Sequence, residues 1–420
     1  MRVVHLLRKC HPAEWGGTET AIQRLFEGLR QLDVASVVYC PRLNNGFTAD
    51  PLTEAGCVVK RFWAFLPVWG ISREARQQLI SVGGNLMSFD LFGALAREPG
   101  VSVIHTHALG RLGAIASAMG RQRGIPFVVT IHGGLLDVPE RLQNDLRKPG
   151  TRGWDWGKIF GAVLRSRRLL DHADAILTCN PRESALLREQ HPQKRVLVQP
   201  HGVAIRAYRT DQRETARAAF PQIRGRHVLL SVGRIDPIKN QAWLLDQAPA
   251  IFQKHPAAML VVVGAATDEI YGQSLKRQIR ALGLENRAVL TGGLPPGDPR
   301  LIGLLQDAKV ALLPSISETF GLVILEAWAA GTPVIASRTS GASALVKHGQ
   351  NGWLFDLADP GSFHSAVDQA LLEPRLAAQF AAAGRQLVSA EYDATVLAGR
   401  MKKLYEQLIE EKHALRHSSR

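Results

Sequence analysis

Glu318 and Glu326 are separated by seven apolar or small residues, Thr-Phe-Gly-Leu-Val-Ile-Leu, within a stretch closed by Gly331. A carboxylate in so apolar a run is costly unless something donates hydrogen bonds to it. Eight helical residues rise about 12 Å, comparable to the reach from a hexose across a diphosphate to a ribose. A helix start between the two acids offers unpaired N–H groups and a positive dipole end, both suited to a phosphate. Two other readings remain open on these residues alone. Ser315-Ile-Ser-Glu318 also fits a helix capping box, and Glu326 could pair with a core arginine.

A second cluster is Ser231-Val-Gly233-Arg234-Ile-Asp-Pro-Ile-Lys239-Asn240. The glycine lets the chain turn sharply, and Arg234 and Lys239 follow it. A departing diphosphate gains negative charge, so two fixed cations would favour that transition state over the ground state. The bland alternative is a turn carrying surface charges. Near the start, Gly16-Gly17 allows close backbone approach to a ligand in front of a helix. It is not a Gly-x-Gly-x-x-Gly fingerprint, which disfavours a nicotinamide cofactor. Ile104-His105-Thr-His107 and Thr130-Ile-His132-Gly-Gly134 each end a strand-like run. No third metal ligand stands out beside the histidine pair, and there is no Asp-x-Asp, so no metal is expected.

These residues need a scaffold that brings strand ends together. Val3–Leu7, Val34–Tyr39, Val101–His105, Phe127–Ile131, Ala175–Thr178 and Val196–Gln199 read as strands, with helices at Thr18–Leu32, Gly110–Arg123 and Pro181–Gln190. The alternation is that of a parallel sheet covered on both faces. A polar, Arg-rich stretch follows, and a second alternation starts at Val228 and runs through Met259–Gly264, Ala288–Thr291, Val310–Leu313 and Val334–Ala336. The tail from Asp393 has helical spacing.

With 420 residues, 46% of them hydrophobic and 21% charged, the chain suits two globular domains. Four scattered cysteines form no Cys-x-x-Cys pair, which suits a reducing cytoplasm. The opening residues are charged too early for a signal peptide, and no apolar run approaches a membrane span. The formal charge of +14 favours anionic partners, yet no nucleic-acid motif occurs, so no nucleic acid is expected. Arg61–Trp69 and Arg147–Arg168 interleave cations with large apolar groups. Such stretches rest in membrane interfaces, or pack as ordinary helices on the sheet with their arginines solvated.

Taken together, Glu318-x7-Glu326 and Gly233-Arg234-x4-Lys239 resemble the retaining glycosyltransferases with two Rossmann-like domains, group 1, family 4 (GT4). The resemblance is strongest over Val228–Gly352. It implies an α/β GT-B fold, two Rossmann-like domains facing across a cleft, with a C-terminal helix crossing back to the N-terminal domain. The expected division is 1–203 (acceptor domain), 204–226 (linker), 227–392 (nucleotide-sugar donor domain) and 393–420 (returning helix). By the same resemblance Glu318 contacts donor-sugar hydroxyls, Glu326 holds the ribose, and Arg234 and Lys239 grip the diphosphate. His132 lies beside the donor sugar, and Gly16, Gly17, Gly233, Phe320, Gly321 and Leu322 complete the donor site. Arg234, Lys239, Glu318 and His132 form the expected catalytic set. Asn240 stands where many relatives have glycine, and His201-Gly-Val where many have Asn-Gly-Val. The base is expected against backbone, with Gly292-Gly293-Leu294 as the candidate loop.

The implied reaction moves a hexosyl group from a nucleoside-diphosphate sugar to a hydroxyl, with retention. The acceptor is a glycan, a lipid-linked or a small molecule, in surface polysaccharide or glycolipid assembly. The sugar nucleotide is a co-substrate and no cofactor is expected. The expected place is the cytoplasm or the inner face of its membrane, in peripheral contact with anionic lipid. The alternative is a non-catalytic nucleotide-sugar-binding regulator or scaffold of the same fold.

Overall fold

A computed structural model describes residues 1–10, 15–42, 51–82, 85–133 and 153–418. The chain divides into two compact units, Met1–Pro200 with Thr395–Arg420, and His201–Ala394. Gly134 and Arg147 to Arg152, named above, lie outside the described residues.

The first unit is built on β1 (Arg2–Leu6), β2 (Ala35–Arg42), β3 (Val58–Trp63), β5 (Val103–Thr106), β6 (Phe127–Ile131), β8 (Ala175–Thr178) and β9 (Val196–Val198). They form one sheet in the order β3-β2-β1-β5-β6-β8-β9, every pairing parallel. A two-stranded antiparallel ribbon, β4 (Val68–Trp69) with β7 (Trp154–Asp155), stands apart from it. Strand residues alternate between faces. Val3, Val38, Val103 and Val128 therefore share one core, and Val4, Val37, Ile104 and Val129 the other. The first face is covered by Phe26 and Leu29 of the Gly17–Gln31 helix and by Met401, Tyr405 and Leu408 of the Ala394–Ser418 helix. Lys412 Nζ lies 2.8 Å from Asp174, and Arg416 donates to the Arg123 carbonyl at 2.6 Å, which fasten that last helix.

The second unit holds β10 (His227–Val232), β11 (Ala258–Val263), β12 (Ala288–Leu290), β13 (Val310–Leu313), β14 (Val334–Ser337) and β15 (Trp353–Phe355). Their order is β12-β11-β10-β13-β14-β15, again all parallel. Every residue of β11 is buried, as a strand covered on both faces requires. The Leu322–Ala330 helix is buried from Ile324 to Ala329. Its Trp328 is fully buried against Gly384, where a Cβ would come within 2.3 Å of the indole. A helix so enclosed explains its apolar sequence on every side.

Several expectations need correction. Residues 204–226 are no linker; they fold with the second unit as the Arg213–Ala219 helix and flanking turns, and Arg217 pairs with Asp307. The unit boundary falls at Pro200/His201 rather than after residue 203. Val58–Trp63, part of which was read as an amphipathic stretch, is an edge strand paired with β2. Ser315–Glu318 does not cap a helix, because the following helix starts at Leu322 behind Gly321.

Candidate active site

In each sheet the strand order reverses once, between β1 and β5 and between β10 and β13. Open parallel sheets bind ligands outside the carboxyl ends of the strands at such a switch point. In the second unit those ends lead into Gly233 and into Pro314–Gly321. In the first they lead into Leu7 and into His107.

Around the second switch point, Asp236 organises the cations. Its Oδ1 accepts from the backbone N–H groups of Ile238 and Lys239 at 3.0 and 3.1 Å, and its Oδ2 lies 3.3 Å from Arg234 Nη2. One carboxylate thus shapes the short turn Pro237–Lys239 and restrains Arg234, whose side chain is 56% exposed. Gly233 adopts φ 155°, and the methylenes of Lys239 run past its Cα. Asn240 adopts φ 60° in the left-handed region, which asparagine tolerates better than most residues. Asparagine therefore fits this turn without a glycine.

Lys239 Nζ then reaches Glu318 Oε2 at 2.5 Å. Burial pushes the Glu318 carboxyl up, but the Lys239 charge, its hydrogen bond and the N–H groups of Phe320 and Gly321 outweigh it. The net result lies below the ordinary carboxylate range. Glu318 is held as an anion, which can only accept hydrogen bonds. Its carbonyl accepts from Gly341 N–H at 2.8 Å and Ile316 N–H donates to Ile238 O at 2.8 Å, so the acidic and basic loops are stitched together. Gly321 turns the chain at φ 94° into the Leu322–Ala330 helix, on which Glu326 is only 7% exposed. Buried Phe320 lies edge-on to His201, ring centroids 4.9 Å apart. Gly264 N–H donates to Gly292 O at 2.9 Å, which brings the loop after β12 into the same strand-end rim. Arg234, Lys239, Glu318, Phe320 and Gly321 are therefore brought together by short bonds, with Glu326 one helical stretch further on.

In the first unit, Gly16 caps the Gly17–Gln31 helix, and its N–H donates to Glu19 Oε2 at 3.0 Å. The helix start expected to face a ligand anion thus already holds a carboxylate of its own. His132 follows β6 and meets His107, with Nε2 and Nδ1 2.8 Å apart. His107 Nε2 in turn lies 3.3 Å from His5 Nδ1. Burial first, then the neighbouring His107, keeps His5 well below its ordinary pKa, so it is neutral. Its Nε2 is buried without a partner among the described residues. His5, His107 and His132 thus form one hydrogen-bonded chain of rings.

His105 sits beside this relay, bonded to Tyr405 OH and Thr130 Oγ1 at 2.6 Å each. Burial raises the Tyr405 hydroxyl well above its ordinary pKa, so it stays protonated beside His105. His5 is also the third nitrogen ligand the sequence reading lacked, since His5, His105 and His107 offer atoms within 4.8 Å of one another. His5 escaped notice because it joins His105 only through the β1–β5 register. Asp236 was visible in the sequence, but its double hold on Arg234 and Lys239 was not.

Acid should weaken the first unit through these rings. His5 and His105 are neutral in the fold, burial being the first cause in each. Unfolded histidine titrates near 6.5, so below that pH the unfolded chain binds more protons and stability falls as pH falls. Each ring contributes up to about 1.4 kcal/mol per pH unit in that window. Thermal unfolding followed from about pH 7.5 to 5.5 should show the loss, with a shallower slope in His5→Gln. An unfolding temperature flat across that range would contradict the assignment.

Two doubly wound parallel units with this strand-end site are the architecture of a GT-B glycosyltransferase. The family model described as "Glycosyl transferases group 1" matches residues 212–387, and that of a "Glycosyl transferase 4-like domain" matches 16–202. The chain is 31% identical to D-inositol 3-phosphate glycosyltransferase of Thermobispora bispora over 79% of this chain and 77% of that protein. It is also 31% identical to the enzyme of that name from Acidothermus cellulolyticus, over 67% of this chain but only 62% of that protein. Among solved structures, Anabaena HepE in complex with UDP-glucose superposes with a TM-score of 0.71 at 18% identity, covering 97% of this chain and 100% of that one. The chain belongs to the group 1 glycosyltransferase family of GT4 type.

Proposed function

We propose that the protein transfers a hexosyl group from a nucleoside-diphosphate sugar to a hydroxyl acceptor with retained anomeric configuration. The observation that carries this reading is the 2.5 Å contact between Lys239 and an ionised Glu318 at the strand-end switch point. Glu318 accepts hydrogen bonds from donor-sugar hydroxyls, Lys239 and Arg234 neutralise the departing diphosphate, and Glu326 accepts from the ribose. Retention follows if the leaving phosphate oxygen takes the acceptor proton on the face where attack occurs. His132, at the end of β6, lies beside the donor sugar. The Gly16-Gly17 loop meets the donor phosphate and acceptor. No cofactor or metal enters this scheme. The acceptor belongs to surface polysaccharide or glycolipid assembly at the inner face of the cytoplasmic membrane. The relatives' names make a phosphorylated polyol the first soluble acceptor to offer.

A thermal-shift screen of UDP, GDP and ADP sugars identifies the donor class through the largest stabilisation. UDP-glucose leads the screen because Anabaena HepE was solved with it. Acceptor-dependent release of the nucleoside diphosphate then tests transfer, and binding without release would establish a binding protein instead. Glu326→Ala should raise the donor dissociation constant about 10- to 100-fold with turnover little changed, since hydrogen bonds to charged groups carry roughly 1.5–3 kcal/mol. Unaltered donor affinity would remove Glu326 from the ribose.

A further inference from the structure

We infer that the first unit carries a preformed docking surface for an anionic lipid bilayer, centred on the β4–β7 ribbon. Two stretches about ninety residues apart in sequence meet there. Trp69 lies against Trp154 and Trp156, ring centroids 5.5 and 6.2 Å away, and Phe65 bridges Trp156 and Trp63 at 5.7 and 4.7 Å. The rings continue into Phe89 and Phe160. Trp69 and Trp154 are each 62% exposed and Trp63 56%. On the Lys158–Val163 helix, Ile159 and Val163 are 68% and 75% exposed, and Gly161 is its buried residue. That helix turns its aliphatic side to solvent, so the reading of an ordinary helix packed on the sheet is overturned.

The base of the surface is rigid. Buried Arg111 pairs with Asp155 and donates to Asn85 O, and Asp155 accepts from Gly157 N–H. Arg76 donates to the carbonyls of Leu66 and Val68 at 2.8 and 2.6 Å. Exposed aromatic rings on a fixed base lose little further conformational freedom on binding. Asp155 is the sole acid from Trp154 to Arg168, whereas Lys158, Arg165, Arg167 and Arg168 are exposed and form no ion pair among the described residues. Indole rings at headgroup depth, aliphatic side chains below them and cations against anionic headgroups are the elements of interfacial binding. Ring faces alone would suit a glycan, but Ile159, Val163 and the clustered arginines would then go unused. No helix among the described residues is long and apolar enough to cross a membrane, so the contact is peripheral.

The test sediments the full chain with vesicles of phosphatidylcholine alone or with about a third phosphatidylglycerol. Binding to the anionic vesicles with a blue shift of tryptophan emission is expected. The double variant Trp69→Ser/Trp154→Ser should lose at least about tenfold in partition. Arg165→Gln/Arg167→Gln/Arg168→Gln should lose roughly fivefold per cation, and only on anionic vesicles. Both variants alter exposed positions, and an unchanged unfolding temperature verifies their fold. Wild-type protein left in the supernatant overturns the inference, as does equal sedimentation of the variants. An emission shift with soluble oligosaccharide but not with vesicles also overturns it, giving the surface to a glycan. Partition is read without sugar transfer, so failure here leaves the proposed reaction standing.

Discussion

Lys239→Ala should lower turnover about 10²- to 10³-fold, the usual loss when one preorganised electrostatic contact to developing charge is removed. The substitution also strips Glu318 of its main counter-charge. Burial then acts against the Phe320 and Gly321 N–H groups alone, and the Glu318 carboxyl rises. A protonated Glu318 no longer accepts from a sugar hydroxyl. Residual activity of the variant should therefore fall on acidification at a pH where the wild type is still flat. Initial rates at saturating donor, followed from about pH 8 to 5, measure both effects. Near-normal transfer by Lys239→Ala would sink the proposed chemistry.

Gly341→Ala is expected to cut catalytic efficiency about a hundredfold without altering any group that does chemistry. A Cβ there would lie 2.4 Å from Phe320 N and 2.6 Å from Glu318 O. The Gly341 N–H also donates to that same carbonyl. Because Gly341 lies in the Ser340–Leu345 helix, helix propensity alone would make alanine the better residue by about 1 kcal/mol. The clash opposes this and must push back the loop that carries Glu318. Displacements near 1 Å can cost about 10²-fold in rate. Gly349→Ala provides the comparison, since nothing lies within 4 Å of its Cβ position although its φ is 75°. It should cost some stability and leave the kinetics alone. Equal kinetics for Gly341→Ala and wild type would show that the loop tolerates displacement.

The acids and cations were legible because their partners follow strand ends at short, fixed spacings. Glu318 and Lys239 were placed at one site by the resemblance, because β10 and β13 are no more consecutive in the chain than β1 and β5. His5 needed knowledge that β1 lies beside β5, which the linear order hides. Gly341 was equally silent, as a glycine beside serine resembles any helix start. The Arg213–Ala219 helix was missed because Ala216 is its buried residue, so no apolar period marks it. The aromatic stretches were noticed separately. What sequence did not convey is that they converge, with the aliphatic side of the second turned outward. Glu19, three residues after Gly16, accepts the Gly16 N–H, a capping contact that the glycine pair alone does not announce.

The placement of Tyr405 and Met401 in the opening unit's core has a consequence for biosynthesis. A ribosome makes the His201–Ala394 unit in full before it releases the residues that cover Val3, Phe26 and Leu177. The half translated first is thus the half finished last, reversing the usual amino-to-carboxyl schedule of domain completion. A nascent chain halted near Ala394 would leave part of one side of its leading sheet uncovered, a ready target for chaperones.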